Sequence, residues 1–182
     1  MIPHSAFQAG LPYGDFLTTH GNPGERLRWD QNREKVSLTA EQTKRLKSFV
    51  RRTDVLFLAG SWCGDCAFHC PILEKFAEIA PVIQIRYADR DVHAELQKEL
   101  QINGGNRVPV AVFFSEDGFE TCRYGEKTLS EYRKNIRSLL PEGTLPPAGD
   151  RMADAVAEWL DVVERVQWML RLSPRLRRLH GD

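Results

Sequence analysis

The stretch Val55-Leu56-Phe57-Leu58-Ala59-Gly60-Ser61-Trp62-Cys63-Gly64-Asp65-Cys66 decides the fold. Its apolar opening is too short for a helix and is bounded by polar residues, the pattern of a buried strand. Beyond it, Ile72, Leu73, Phe76, Ala77 and Ile79 recur at roughly helical spacing, so residues 63 to 80 are predicted to be a helix, kinked at Pro71, which has no N–H and crowds the preceding turn. A strand running straight into a helix places Cys63 in the first turn, where unpaired backbone donors and the helix dipole favour negative charge. A thiolate is the attacking form of cysteine, so this position is expected to lower the Cys63 pKa. Cys66, one turn further in, can reach Cys63 to close a disulfide and release a bound partner. Gly64 and Asp65 form the bridge between the two sulfurs and tune the motif.

Working outward, Val82 to Tyr87 is predicted as a second strand, with Asp91 capping a helix that carries His93, Leu96 and Leu100. Val108 to Phe114 and Phe119 to Tyr124, separated by the turn Glu116-Asp117-Gly118, form a hairpin. Thr128 and Glu131 have capping-box spacing ahead of Leu129, Tyr132, Ile136 and Leu139. Upstream, Thr39 and Gln42 repeat that spacing before a helix with Leu46, Phe49 and Val50 inward, ending near Arg52. The order β-α-β-α-β-β-α describes an α/β domain over residues 39–140: a mixed four-stranded sheet flanked by helices. Residues 1–38, rich in Gly, Pro and Asn, form an N-terminal extension expected to wrap the surface with at most short helices and no separate core. Residues 141–182 comprise a Pro- and Gly-rich linker, an amphipathic helix marked by Met152, Val156, Leu160, Val163 and Leu170, and a basic tail beyond Pro174, which is expected to stop the helix. The pattern leaves open whether that helix folds back or makes a dimer contact, so the oligomeric state stays open too.

Composition narrows the partners. The 25 basic and 25 acidic side chains cancel, so no global field points to nucleic acid or to an anionic membrane. The tail arginines Arg171, Arg175, Arg177 and Arg178 read as solvated charge, being fewer than counterion-release binding needs. Acidic Asp154, Glu158, Asp161 and Glu164 on the last helix resist adsorption to anionic lipid. Residues 1–10 lack the basic start and apolar run of a secretory signal, and no apolar stretch approaches the ~18 residues of a membrane span. The expected compartment is the cytoplasm, where structural disulfides are rare. Three of the four cysteines, Cys63, Cys66 and Cys70, fall within eight residues, a spacing for chemistry rather than for stapling loops.

The Trp62-Cys63-Gly64-Asp65-Cys66 motif after a buried strand, Pro71 five residues beyond Cys66, and Arg107-Val108-Pro109 opening a later strand together resemble the thioredoxin superfamily, over about residues 40 to 140. The resemblance implies a thioredoxin-like fold and a thiol–disulfide oxidoreductase that exchanges with protein or small-molecule disulfides, supplied by an unidentified electron donor. It casts Cys63 as nucleophile and Cys66 as resolving thiol. Trp62, Val108 and Pro109 shape the docking groove, with Pro109 after a cis bond beside the sulfurs and the Val108 backbone pairing to an extended substrate. Gly125 resembles a glycine that lines this surface. No cofactor is implied beyond the Cys63–Cys66 disulfide itself.

Two departures stand out. Phe57 and Ile85 occupy the positions of the family's buried Asp and its neighbouring Lys, leaving no evident base for Cys66, and Asp65 replaces a common proline. A redox-inactive binding module on the same fold is therefore the rival reading. Cys70 and His69 beside the motif raise the option of a metal centre, but no second Cys or His cluster supplies further ligands, and no metal is expected. Cys70 and Cys122 read as packing residues, with Cys70 as a further resolving thiol the alternative. His69 reads as a surface histidine without a role, the alternative being a proton carrier near the thiols. Trp159 and Trp168 read as core or rim packing.

Overall fold

The apolar run forms β1 (Thr53–Ala59), whose seven residues are all buried because the strand is internal in the sheet and helices cover both faces. The computed structural model describes all 182 residues, Met1–Asp182. In chain order the elements are α1 (His4–Ala9), α2 (Tyr13–His20), α3 (Pro23–Lys35), α4 (Ala40–Lys47), β1, α5 (Gly64–Ile79), β2 (Ile83–Asp89), α6 (Ala94–Glu99), β3 (Val110–Ser115), β4 (Glu120–Gly125), α7 (Leu129–Ile136), α8 (Arg151–Arg171) and α9 (Pro174–His180), with a 3-10 turn at Arg137–Leu139. The sheet runs β2-β1-β3-β4. β1 pairs parallel to β2, with Phe57 opposite Tyr87, and antiparallel to β3, with Phe57 opposite Ala111. A right-handed crossover through α5 is the usual way to join parallel neighbours, and it sets the start of α5 at the carboxyl end of β1. The architecture is the expected mixed four-stranded α/β sheet.

The N-terminal extension is more structured than its composition suggests. Asn22 and Glu25 close a capping box around Pro23, and the resulting α3 runs for 13 residues. Phe16 and Trp29 are fully buried and join the core built on the sheet. Each large apolar side chain buried in this way contributes roughly 1.5–3 kcal/mol, so these helices belong to the folding unit rather than wrapping it. Leu11 exchanges backbone hydrogen bonds with Tyr87, 2.8 Å in both directions, and shields the outer edge of β2.

Several local expectations are corrected by longer-range contacts. α4 has its Thr39–Gln42 capping box but ends at Lys47, short of Arg52. The Gln167 side chain takes both the N–H and the carbonyl of Arg51, at 3.2 and 2.7 Å, and draws this segment out of helical geometry. Val50 is accordingly exposed. At α6 the turn is held by Asp89, which accepts the N–H groups of Asp91 and Val92, and not by Asp91. At α7 the capping carboxylate is Glu158, which accepts the N–H groups of Leu129 and Ser130 at 2.5 and 2.7 Å, while Glu131 forms a bidentate pair with Arg151. The apolar residues of that helix point outward.

α8 begins at Asp150, whose carboxylate accepts the Ala153 N–H, and folds back with Val156, Trp159, Leu160, Val163 and Leu170 buried against α5, α7 and β4. Pro174 does not simply stop the chain; it starts α9. The basic tail is tied down: Arg175 pairs with Asp117, Arg171 with Asp182, and His180 with Glu116. No helix is long and apolar enough to cross a membrane.

Candidate active site

Cys63 is the N-cap of α5. Its extended backbone turns the chain from β1 into the helix, and its Sγ accepts the Cys66 N–H at 3.4 Å, the role a Ser or Asp usually fills. The sequence placed it in the first turn; the structure places it one residue earlier, still facing the unpaired donors. Its thiol also reaches the Val108 carbonyl at 3.6 Å. The Val108–Pro109 peptide is cis, and these two buried residues lie just before β3. Gly125 approaches from β4: a Cβ there would lie 2.3 Å from the Pro109 carbonyl oxygen, a contact no other residue tolerates. Cys63 is half-buried and Cys66 fully buried beneath it, and all four cysteines are free thiols.

Trp62 is exposed on the rim. Its Nε1 donates to Asp91 at 3.2 Å and the Arg90 guanidinium stacks over the ring at 4.5 Å, which fixes the indole beside Cys63. Gly64 is exposed and open, whereas Asp65 is engaged: its carboxylate pairs with Lys127 from the segment after β4. Burial works against the Lys127 charge, but Asp65 more than offsets it, so this ammonium is held above its usual range. The next link is Arg107, which pairs with Glu126 at 2.9 Å, and Glu126 also accepts the Tyr132 hydroxyl at 3.2 Å. The structure thus brings Trp62, Cys63, Asp65, Cys66, Val108 and Pro109 together.

The N-terminal extension supplies a brace that sequence reasoning missed. Trp29 Nε1 donates to the Ser61 carbonyl, Arg28 to the Trp62 carbonyl and Asn32 to the Ala67 carbonyl, each at 2.9 Å. The single Ser61 hydroxyl proton is shared between the His20 carbonyl at 2.8 Å and the Glu25 carboxylate at 3.0 Å. Asn22 and Glu25, at capping-box spacing around Pro23, are the signal in the sequence for the helix that carries these groups. Lys127 had no such signal.

The Cys63 and Cys66 thiols titrate as a pair. Hydrogen bonding to Cys66, burial and charge on the Cys66 sulfur push the Cys63 thiol up, against the pull of the Cys66 and Asp65 N–H groups. Desolvation holds the Cys66 thiol well above its ordinary range. The lowering expected at Cys63 from the helix start is therefore outweighed, and the resting dithiol keeps its protons at neutral pH. Phe57, at the position where the resemblance implies a buried acid, is stacked on Tyr87 at 5.6 Å and edge-on to Trp159 at 5.9 Å.

His69 is not on the surface. It lies on the face of α5 that α8 covers, and its Nδ1 accepts the Trp159 Nε1 hydrogen at 3.2 Å. Because an indole only donates, the imidazole proton sits on Nε2, which is buried without a partner. Desolvation pulls its pKa down to about 4. Cys70 is fully buried one turn beyond Cys66, and Cys122 is partly buried against the core. Trp159 is buried in the core and Trp168 sits at the rim, edge-on to Phe49.

No curated protein matches this sequence. Two solved structures share the fold at full length. A protein of unknown function from Pseudomonas aeruginosa superposes with a TM-score of 0.72 at 21% identity, over 91% of this chain and 99% of that one. An HIV epitope-scaffold protein superposes with a TM-score of 0.69 at 19% identity, over 88% and 96%. The family model described as thioredoxin matches residues 12–133, a span that holds the α3 brace, the Cys63–Cys66 motif and the Pro109 loop, and the chain belongs to the thioredoxin family.

Proposed function

We propose that the chain is a thiol–disulfide oxidoreductase in which Cys63 attacks and Cys66 resolves. The observation that carries this is the placement of Cys63: a partly open sulfur at a helix N-cap, receiving the Cys66 N–H and lying 3.6 Å from the Val108 carbonyl beside Pro109. In the forward direction the Cys63 thiolate attacks one sulfur of a partner disulfide. The S–S bond breaks, one partner sulfur leaves as thiolate and the other remains bonded to Cys63. Cys66 then attacks Cys63 Sγ, the Cys63–Cys66 disulfide forms and the second partner sulfur departs. Two electrons pass from the dithiol to the partner, and its two protons go to the partner's thiolates. Trp62, Val108 and Pro109 frame the groove in which the partner's chain lies. Protein or small-molecule disulfides are the substrates, an external electron donor restores the dithiol, and no cofactor or metal takes part.

The test is a redox titration against glutathione with thiols counted by mass spectrometry. Reversible loss of two thiols per chain, mapped to Cys63 and Cys66 with Cys70 and Cys122 unmodified, is expected. A pair that stays reduced across the titration supports instead a binding module that keeps the fold without turning over, the reading favoured by Phe57 in place of an internal acid.

A further inference from the structure

Helix α7 is built inside out. Its one buried residue is Glu131, paired with Arg151, whereas Leu129, Tyr132, Ile136 and, in the following 3-10 turn, Leu139 are 52%, 44%, 43% and 76% exposed. At 3.6 residues per turn these four side chains fall within roughly 80° of arc, a single stripe. Scattered exposed apolar residues are ordinary in a soluble protein, but a continuous row marks a contact surface. Arg133 and Arg137 border the stripe on one side. Neither meets a carboxylate: Glu131 is taken by Arg151, Glu158 by the N–H groups of Leu129 and Ser130, and Arg137 reaches only the Pro146 carbonyl.

The stripe is continuous with the thiol site. Leu129 follows two residues after Lys127, which holds Asp65 inside the motif, and the Tyr132 hydroxyl reaches through Glu126 to Arg107, the residue before Val108. We propose that this face docks a protein partner through an acidic amphipathic segment, with apolar side chains on Leu129, Tyr132, Ile136 and Leu139 and carboxylates on Arg133 and Arg137. The inference rests on the oxidoreductase function and names its substrate class: a protein disulfide, presented to Cys63 by a segment held on α7.

The probe is a short fluorescein-labelled peptide without cysteine, carrying leucines at helical spacing flanked by glutamates, with a twin in which lysines replace the glutamates. Binding is read by anisotropy at low and high salt. The glutamate peptide is expected to bind and the lysine twin to bind at least tenfold more weakly. Kd should rise at least tenfold in an Ile136→Ser, Leu139→Ser double variant and severalfold in Arg133→Gln, Arg137→Gln, and binding should weaken with salt. Ile136 and Leu139 are exposed and Arg133 and Arg137 partly buried, and an unchanged melting temperature checks that the variants fold. Absent binding, equal binding of both peptides, or indifference to the variants overturns the proposal. So does concentration-dependent dimerisation that the apolar variants abolish, since the stripe then serves a second copy. Because the peptide has no thiol, a negative result here is separate from a failure of the glutathione titration, which tests the exchange chemistry alone.

Discussion

Asn32 Nδ2 donates to the Ala67 carbonyl across 2.9 Å, and that carbonyl is the one Pro71 leaves without its helical partner. A proline four residues on removes the N–H that would have closed the turn, just after the Cys63–Cys66 motif at the start of α5. The side chain from α3 replaces it. With Arg28 on the Trp62 carbonyl and Trp29 on the Ser61 carbonyl, the N-terminal extension grips the backbone on both sides of Cys63 and Cys66.

Replacing Asn32 by leucine leaves the Ala67 carbonyl partly buried and unpaired, which costs about 1–3 kcal/mol. Urea unfolding of the variant should show a lower midpoint with an unchanged slope. A midpoint equal to that of the wild type shows that the carbonyl finds another partner and that the brace is incidental.

His69 makes stability depend on pH with a definite sign. Its pKa is about 4 in the folded chain against 6.5 when free, so between these values the unfolded chain binds a proton that the folded chain does not. Its stabilising effect is fully present above pH 6.5 and is lost as pH falls toward 4, by roughly 2–4 kcal/mol in total. Unfolding free energies across this window should fall less steeply in His69→Leu than in the wild type, whatever the offset from losing the Trp159 hydrogen bond. Parallel slopes place the acid sensitivity elsewhere.

The Asp65–Lys127 pair is expected to act on the Cys63 thiol in two opposite directions. Asp65→Asn leaves the Lys127 ammonium unpaired beside the thiols and should lower the Cys63 pKa; Lys127→Met leaves the Asp65 carboxylate unpaired and should raise it. The pair is partly exposed, so each shift should be less than about one unit. The pH dependence of Cys63 alkylation in the two variants is the measurement, and shifts of the same sign in both contradict the pairing as the cause.

Legibility in the sequence followed the range of the interactions. β1 and the placement of Cys63 and Cys66 at its end were readable because a continuous apolar run and short fixed spacings determine them, whereas the approach of Val108, 45 residues from Cys63, came only from the family resemblance. The capping residues divided by partner: Thr39 caps α4 through Gln42 three residues away, but the N-terminus of α7 is capped by Glu158, 29 residues from Leu129. His69 was misplaced because its burial comes from Trp159 on α8, 90 residues on. Likewise the spacing of Leu129, Tyr132, Ile136 and Leu139 gave a helix correctly without giving its rotation, which the Glu131–Arg151 pair sets. The rise in the Cys63 pKa was invisible to a helix-dipole argument, because a second buried sulfur opposes it.

The most direct measurement uses the two single serine variants with a fluorescent peptide joined through a disulfide to a quencher. The Cys66→Ser protein should form a stable mixed disulfide, one per chain and mapped to Cys63 by mass spectrometry, because no second thiol resolves it; the Cys63→Ser protein should form none and release no fluorescence. Turnover by Cys63→Ser, or an adduct mapped to Cys70 or Cys122 in place of Cys63, contradicts the assignment of Cys63 as the attacking sulfur.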